Sequence, residues 1–189
     1  YGQTEYNIEA ISAINLGDGR ILFRTLRDEL PVQGTLRLID GRKSEYILAD
    51  FENGLYNGKF QHFKHNALRE EGAYKEGRKD GTFKEYNSDG TTVKTEKLYK
   101  NGKADGTWMY YYTNGAVEKE KGYKNGLEHG IERLYDYESG ELKTEMNFSE
   151  GKKHGKQVQY MNRNRASYII KSNYKNGLLQ GPSSKPYYN

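Results

Sequence analysis

The fold is decided by Tyr99-Lys100-Asn101-Gly102-Lys103-Ala104-Asp105-Gly106, a stretch that returns as Tyr123-Lys124-Asn125-Gly126-Leu127-Glu128-His129-Gly130. Both stretches begin with an aromatic residue, followed by a glycine three positions later and a second glycine four positions after that. The pattern occurs six times, about 24 residues apart, with the glycine pairs at 54/58, 77/81, 102/106, 126/130, 151/155 and 177/181. A fixed period of this length is typical of a tandem repeat protein.

Turn sequences divide each repeat into short segments. Asn-Gly and Asp-Gly pairs favour tight hairpin turns, in which two consecutive residues adopt positive φ. Such pairs occur at 53–54, 57–58, 80–81, 89–90, 101–102, 105–106, 114–115, 125–126 and 176–177. The segments between them have the length of ordinary strands and leave no room for helices. We therefore predict an all-β fold, in which tandem antiparallel β-hairpins form an elongated sheet.

Side-chain alternation predicts which residues share a face of that sheet. In residues 93–99, one face is expected to carry Val93, Thr95, Lys97 and Tyr99. The other face is expected to carry Lys94, Glu96 and Leu98, and its charges recur in neighbouring repeats. The sheet should therefore have one aromatic face and one charged face in contact with water.

Composition limits the classes of function. The 30 Lys and Arg residues nearly balance 26 Asp and Glu residues, for a net charge of +4, and both signs are interleaved. This distribution argues against nucleic-acid binding, which requires a strongly basic surface. The chain has no cysteine, which excludes disulfides and thiolate metal sites. It also has no apolar run long enough to span a membrane as a helix.

The repeat resembles the MORN repeat in its bacterial variant, of which the two quoted stretches are typical. The resemblance covers residues 51–181. It implies a stack of β-hairpins in a long, twisted, single-layer sheet, and a role in protein–protein or membrane-associated scaffolding. Some bacterial-variant members are labelled antitoxin components of toxin–antitoxin systems. This implies, as an alternative, an antitoxin that neutralises a toxin through the same sheet surface.

The repeat boundaries suggest four segments. Residues 1–25 are more aliphatic and are interpreted as an N-terminal cap, and residues 26–50 as a degenerate repeat. Residues 51–181 hold six hairpin repeats, the last of them truncated, and residues 182–189 form a proline-containing tail. Because the sequence begins without a methionine, we expect an exported protein, with a cytoplasmic location left open.

No residues stand out as catalytic or metal-binding. His129 and His154 occupy a position that carries Asn or Asp in other repeats, so a turn role is favoured. His62 and His65 lack nearby carboxylates in ligand spacing. The glutamates recur in every full repeat, which is the behaviour of structural residues. We expect no enzymatic activity, no metal and no cofactor.

Aromatic residues outside the repeat pattern supply the candidate binding site. Trp108 and Tyr110 lie on the face opposite Tyr111, at positions equivalent or close to Phe60 and Phe83 in earlier repeats. Exposed aromatics on a sheet are favoured anchors for a partner. The sequence leaves open whether these four residues bind a partner or pack against the N-terminal cap. We expect a binding scaffold for another protein or a cell-envelope component, with a glycan or lipid left open, and an antitoxin as the alternative.

Overall fold

The computed structural model describes residues 4–163 and 166–183. Apart from one short 3₁₀ turn at Ile8–Ala10, the regular structure of these residues is β-strand. They form two compact units, the first extending to Lys103 and the second beginning at Ala104. Consecutive strands pair as antiparallel hairpins in tandem, so the predicted fold class is confirmed.

The first unit contains an open sheet and a separate hairpin. The sheet order is β1-β4-β5-β6-β7-β9-β10, in which β8 pairs with β7, β1 runs parallel to β4, and the other neighbours are antiparallel. A second sheet consists of β2 and β3 alone. The strands are β1 (Thr4–Asn7), β2 (Ile11–Asn15), β3 (Ile21–Thr25), β4 (Gly34–Asp40), β5 (Glu45–Glu52), β6 (Leu55–Lys64), β7 (Ala67–Lys75), β8 (Arg78–Lys79), β9 (Gly81–Tyr86) and β10 (Val93–Lys100).

The second unit continues the repeat pattern after the two-residue strand β11 (Lys103–Ala104). Its strands follow one another in sequence order, each antiparallel to the next. They are β12 (Gly106–Tyr111), β13 (Val117–Lys124), β14 (Leu127–Tyr135), β15 (Leu142–Ser149), β16 (Lys152–Arg163), β17 (Ala166–Lys175) and β18 (Leu178–Leu179).

Two-residue turns occur at the first glycine of each pair and also at His65-Asn66, between β6 and β7. There, two consecutive residues have positive φ, as in Asn101 (51°) and Gly102 (78°). Glutamate replaces asparagine in two of these turns, at Glu76 and Glu150. The chain does turn at Asp89-Gly90, between β9 and β10, and at Asn114-Gly115, between β12 and β13, but through longer turns. The prediction of two-residue turns with two positive φ values was wrong for the other Asn-Gly and Asp-Gly pairs, because only their glycines have positive φ in the described residues. Asp80 and Asp105 illustrate this, since they precede strands instead of forming turns.

Neighbouring repeats are joined by a recurring backbone hydrogen bond. The N–H of each turn glycine donates to the carbonyl two positions after the turn glycine of the preceding repeat. The pairs are Gly77 to Tyr56 (2.8 Å), Gly102 to Lys79 (2.8 Å), Gly126 to Ala104 (2.7 Å), Gly151 to Glu128 (2.9 Å) and Gly177 to Lys153 (2.8 Å). The central N–H groups of a two-residue turn take no part in the hydrogen bonds between the two strands of its hairpin. The bonds between repeats therefore give turn N–H groups an acceptor that water would otherwise have to provide.

A side chain supports the same joint in the earlier repeats. The residue before the second glycine accepts a hydrogen bond from the other turn N–H of the next repeat. Asp80 accepts from Asn101 N–H (3.1 Å) and Asp105 from Asn125 N–H (3.1 Å). Gln33 does the same for Asn53 N–H (3.1 Å), although it lies outside the six repeats.

The N-terminal hairpin β2–β3 packs against the sheet of the first unit. Phe23 contacts the rings of Phe51 and Tyr56, with centroids 5.5 and 4.9 Å apart. Its N–H donates to Gly54 O (2.7 Å), and Gly54 N–H donates to Val32 O (2.9 Å). A Cβ at Gly54 would lie 2.6 Å from Phe23 O, so this approach requires glycine. The core of the first unit therefore has two layers.

A β-bulge changes the predicted face of one residue. Val93 pairs with Tyr86, whereas Thr95 pairs with the adjacent Glu85. Lys94 is the extra residue of the bulge. Tyr86 and Glu85 are adjacent in the partner strand and therefore point to opposite faces of the sheet. The prediction that Val93 shares a face with Thr95 was therefore wrong.

In the described residues, no helix has the length and apolar character needed to cross a membrane.

Candidate binding surface

The aromatic face of the first unit is built by strand register. Gly58 pairs with Tyr74 and Phe60 with Gly72, so these four positions point to one side of the sheet. Gly81 likewise pairs with Tyr99, and Phe83 with Lys97. We call this side, which carries Phe51, Tyr56, Phe60, Tyr74, Phe83 and Tyr99, the aromatic face of the first unit. Its rings form a continuous series of contacts.

Phe60 and Phe83 belong to the core and are not accessible anchors. Phe60 is 6% exposed and Phe83 is 1% exposed. Both lie in the cluster that includes Ile11, Phe23 and Val32 of the N-terminal segment. Neither ring is open to solvent, so for these two residues the prediction of a surface role is corrected. Burial also raises the pKa of Tyr56 and Tyr74 well above its ordinary value, because it disfavours the charged phenolate.

The aromatic face of the second unit has a different character. We define it by Trp108, Tyr110, Tyr123 and Phe148, all of which are half-buried. The ring centroids of Trp108 and Tyr123 lie 4.5 Å apart, and the angle between the ring planes is 39°. Lys119 Nζ sits 4.2 Å from the Tyr110 ring centroid. None of these four aromatics reaches the burial of Phe60 or Phe83, so their ring area is partly available at the surface.

The contact of Trp108 with Tyr123 was not predicted from the sequence. Gly106 lies opposite Tyr123, and Trp108 lies two residues further along β12, opposite Lys121. Period-two alternation therefore places Trp108 and Tyr123 on the same face. The two-residue spacing of Trp108 from Gly106 is visible in the sequence. It identifies the shared face only when the register of β12 with β13 is known.

Lys121 forms two ion pairs on this face. Lys121 Nζ lies 2.5 Å from Glu128 and 3.0 Å from Glu132, and 5.6 Å from the Phe148 ring centroid. Burial acts to lower the pKa of Lys121, but the hydrogen bonds to the two glutamates outweigh it and the pKa is raised. The lysine therefore stays protonated at neutral pH, and the cluster holds compensating charges beside the rings.

The recurring glutamates of the opposite, charged face have structural partners. Glu71 accepts a hydrogen bond from the Tyr86 hydroxyl (2.6 Å), and Glu120 from the Tyr135 hydroxyl (3.0 Å). Arg133 bridges Glu120 (3.3 Å) and Glu145 (2.9 Å). Burial and the hydrogen bond to Glu71 raise the pKa of Tyr86 to about 12. These carboxylates hold neighbouring strands together.

The histidines do not converge with other metal-ligating groups. His62 Nε2 lies 3.6 Å from Glu45, which also pairs with Lys64 at 2.8 Å. The hydrogen bond from Lys64 lowers the pKa of Glu45. His65 has positive φ in a turn, and His129 and His154 lie within strands of the second unit. Among the described residues, no three His, Asp or Glu side chains gather in a way that could hold a metal ion.

Comparison with known proteins adds no relationship to this picture. No protein-family model matches the chain, and no curated protein matches it.

Proposed function

We propose that this chain is a non-catalytic binding module, which recognises another protein or a cell-envelope component through the aromatic face of its second unit. Trp108 and Tyr110 are the anchors, with Tyr123 as the ring against which Trp108 packs. Membership of the bacterial MORN variant class is part of the same proposal and is supported by the six in-phase repeats.

One observation carries the proposal. Trp108 and Tyr123 form a half-buried ring pair in the second unit, whereas the equivalent Phe83 in the first unit is buried with the N-terminal segment. Rigid aromatic pairs offer a large contact area with few rotatable bonds, which is the usual composition of an interface anchor. The glutamates that recur on the charged face are already bonded to Tyr and Arg side chains, which favours a binding role over acid–base chemistry.

Capture from lysate and envelope fractions of the native organism tests this function. The purified chain, its Trp108→Ala variant and a Tyr160→Ala variant serve as baits. Tyr160 is an exposed tyrosine in the same unit and lies outside the defined face, so it is the matched control. We expect one partner to be recovered with the unchanged chain and with Tyr160→Ala, and lost with Trp108→Ala. Equal recovery with all three baits would refute the assignment of this face.

Unfolding measurements separate binding from stability. Because Trp108 is only half-buried, Trp108→Ala should cost about 1–2 kcal/mol, well below the ~3–5 kcal/mol expected for truncating a buried ring such as Phe83. A loss for Trp108→Ala as large as that for Phe83→Ala would identify Trp108 as a core residue. A captured partner that arrests growth when expressed alone would identify the antitoxin alternative.

A further inference from the structure

Charge is unevenly distributed along this chain. All 26 Asp and Glu residues fall within residues 1–150, together with 22 of the 30 Lys and Arg residues. Residues 151–189 carry the other eight Lys and Arg residues and no acidic residue. The balance of charge that argues against nucleic-acid binding therefore holds only for the first 150 residues. A strongly basic segment in a chain of small net charge points to an anionic partner.

The hairpin of β16 and β17 lies in this basic segment. Val158 of β16 pairs with Glu145 on one side and with Lys171 on the other. Because directly opposed residues share a face, Val158 and Lys171 belong to the charged face that Glu145 helps to form. Period-two alternation along the two strands adds their neighbours on that face. We call this part of the charged face the basic patch, which consists of Lys156, Tyr160, Lys171, Asn173 and Lys175.

The three lysines of the basic patch are close together and accessible. All five residues of the patch are exposed, whereas Gln157 on the opposite face of the same strand is buried. Lys171 and Lys175 are the two diagonal neighbours of Lys156 across the hairpin, at Cα distances of about 7–8 Å. Like charges at this spacing repel each other, and a bound anion would relieve that repulsion.

The rest of the charged face of the second unit has its charges compensated. Arg133 bonds to Glu120 and Glu145, at 3.3 and 2.9 Å. Lys143 bonds to Asp136 at 2.7 Å. β16 and β17 contain no acidic residue, and the single carboxylate of the adjacent strand β15 is Glu145, which Arg133 already holds. The basic patch is therefore the part of this face that favours an anionic ligand.

Tyr160 adds an aromatic ring to the basic patch. At the same position in two other repeats, Tyr86 and Tyr135 are half-buried and their hydroxyls donate to glutamates, at 2.6 and 3.0 Å. Tyr160 is instead 42% exposed and lies diagonally across the hairpin from Lys171. An exposed ring among cations is a stacking platform for the bases of single-stranded nucleic acid, whose phosphates the cations neutralise. Single-stranded nucleic acid is the polyanion that uses both features.

We propose that the basic patch of β16 and β17 binds single-stranded nucleic acid, with phosphates at Lys156, Lys171 and Lys175 and a base stacked on Tyr160. Stacking and phosphate contacts are tolerant of sequence, so the affinity depends little on which bases are present. The patch lies on the side of the sheet opposite Trp108, so this proposal does not depend on the function assigned to the aromatic face.

Fluorescence anisotropy tests the basic patch. A labelled oligothymidine of about 20 nucleotides is titrated with the full chain at several salt concentrations. We expect saturable binding with a slope of about −2 for log affinity against log salt, because each of three phosphate contacts contributes about −0.7. A duplex of the same length should bind more weakly, because its bases are not free to stack on a side chain.

Variants assign the binding to individual side chains. Lys156→Gln and Lys171→Gln should each weaken binding several-fold and reduce the steepness of the salt slope by about 0.7. Lys153→Gln is the matched control, since it removes the same charge from the same strand but on the aromatic face, and it should change neither quantity. Tyr160→Ala should weaken binding about tenfold, whereas Tyr160→Phe keeps the ring and should retain the affinity. Trp108→Ala should also retain it, which separates this activity from partner capture by the aromatic face.

Three results would overturn the proposal. The first is absence of binding, or a loss with Lys153→Gln as large as that with Lys156→Gln. The second is equal affinity for duplex and single strand together with no effect of Tyr160→Ala. The third is displacement of the oligonucleotide by polyglutamate or by anionic vesicles at equal concentrations of charge, which would identify an acidic protein or a lipid surface as the ligand instead.

Discussion

Replacing Gly72 by alanine should destabilise the first unit, although the backbone there accepts any residue. A Cβ at Gly72 would lie 2.6 Å from Phe83 Cγ and 2.7 Å from each Cδ. The ring cannot move aside, because it is held by Tyr74 at 5.2 Å, by Tyr99 at 5.6 Å and by Lys79 Nζ at 4.2 Å. An overpacked core of this kind costs about 1–3 kcal/mol. Urea unfolding followed by circular dichroism, with amide exchange to localise the effect, measures the loss.

Two variants show whether the clash is the cause. Gly41→Ala is the matched control, since nothing lies within 4 Å of a Cβ there. It should be neutral or stabilise by up to ~1 kcal/mol, through the entropy of the unfolded chain. Combining Gly72→Ala with Phe83→Ala should cost less than the sum of the two single changes, because the methyl then occupies vacated space. If Gly72→Ala is as stable as Gly41→Ala, the packing argument is wrong.

Two further predictions concern the turns. Asp80→Ala should cost about 0.5–1.5 kcal/mol in thermal unfolding, because the N–H of Asn101 loses its acceptor, whereas Asp80→Asn should cost almost nothing. Equal losses for both would show that the cap is unimportant. The hydroxyl of Thr92 and two backbone N–H groups lower the pKa of Asp89 from 3.8 to about 2. Its stabilising contribution is therefore complete above pH 3.8 and is lost as the pH falls towards 2, and a carboxyl NMR titration in which Asp89 shows an ordinary pKa would contradict this.

The architecture was predictable because it depends on local chemistry that repeats. Each turn of the Asn101-Gly102 type has its glycine three positions after an aromatic residue, and six in-phase copies of this spacing exclude a chance pattern. The prediction was wrong where the same dipeptide serves another purpose. Asp80-Gly81 looks like a turn in the sequence, but Asp80 instead caps the next repeat through its side chain. That role depends on a neighbour about 20 residues away, which a dipeptide does not reveal.

The candidate site was less predictable because it depends on contacts between distant segments. Phe60, Phe83 and Trp108 look alike in their repeats, each two residues after the second glycine. In the structure the first two belong to a core cluster that also includes Ile11 and Phe23 of the N-terminal hairpin, and Phe23 contacts Phe51 and Tyr56. The aliphatic character of residues 1–25 indicated a cap, but not which face it would cover.

The joint between repeats also determines how such a chain can change in length. Every interior repeat carries an acceptor edge for the following repeat and a donor turn for the preceding one. A duplicated block that contains one turn and the strands on either side would bring both halves of the joint with it. Duplication or deletion of whole blocks should therefore leave the flanking hydrogen bonds intact, whereas inserting a few residues inside a block would separate its donor turn from its acceptor edge.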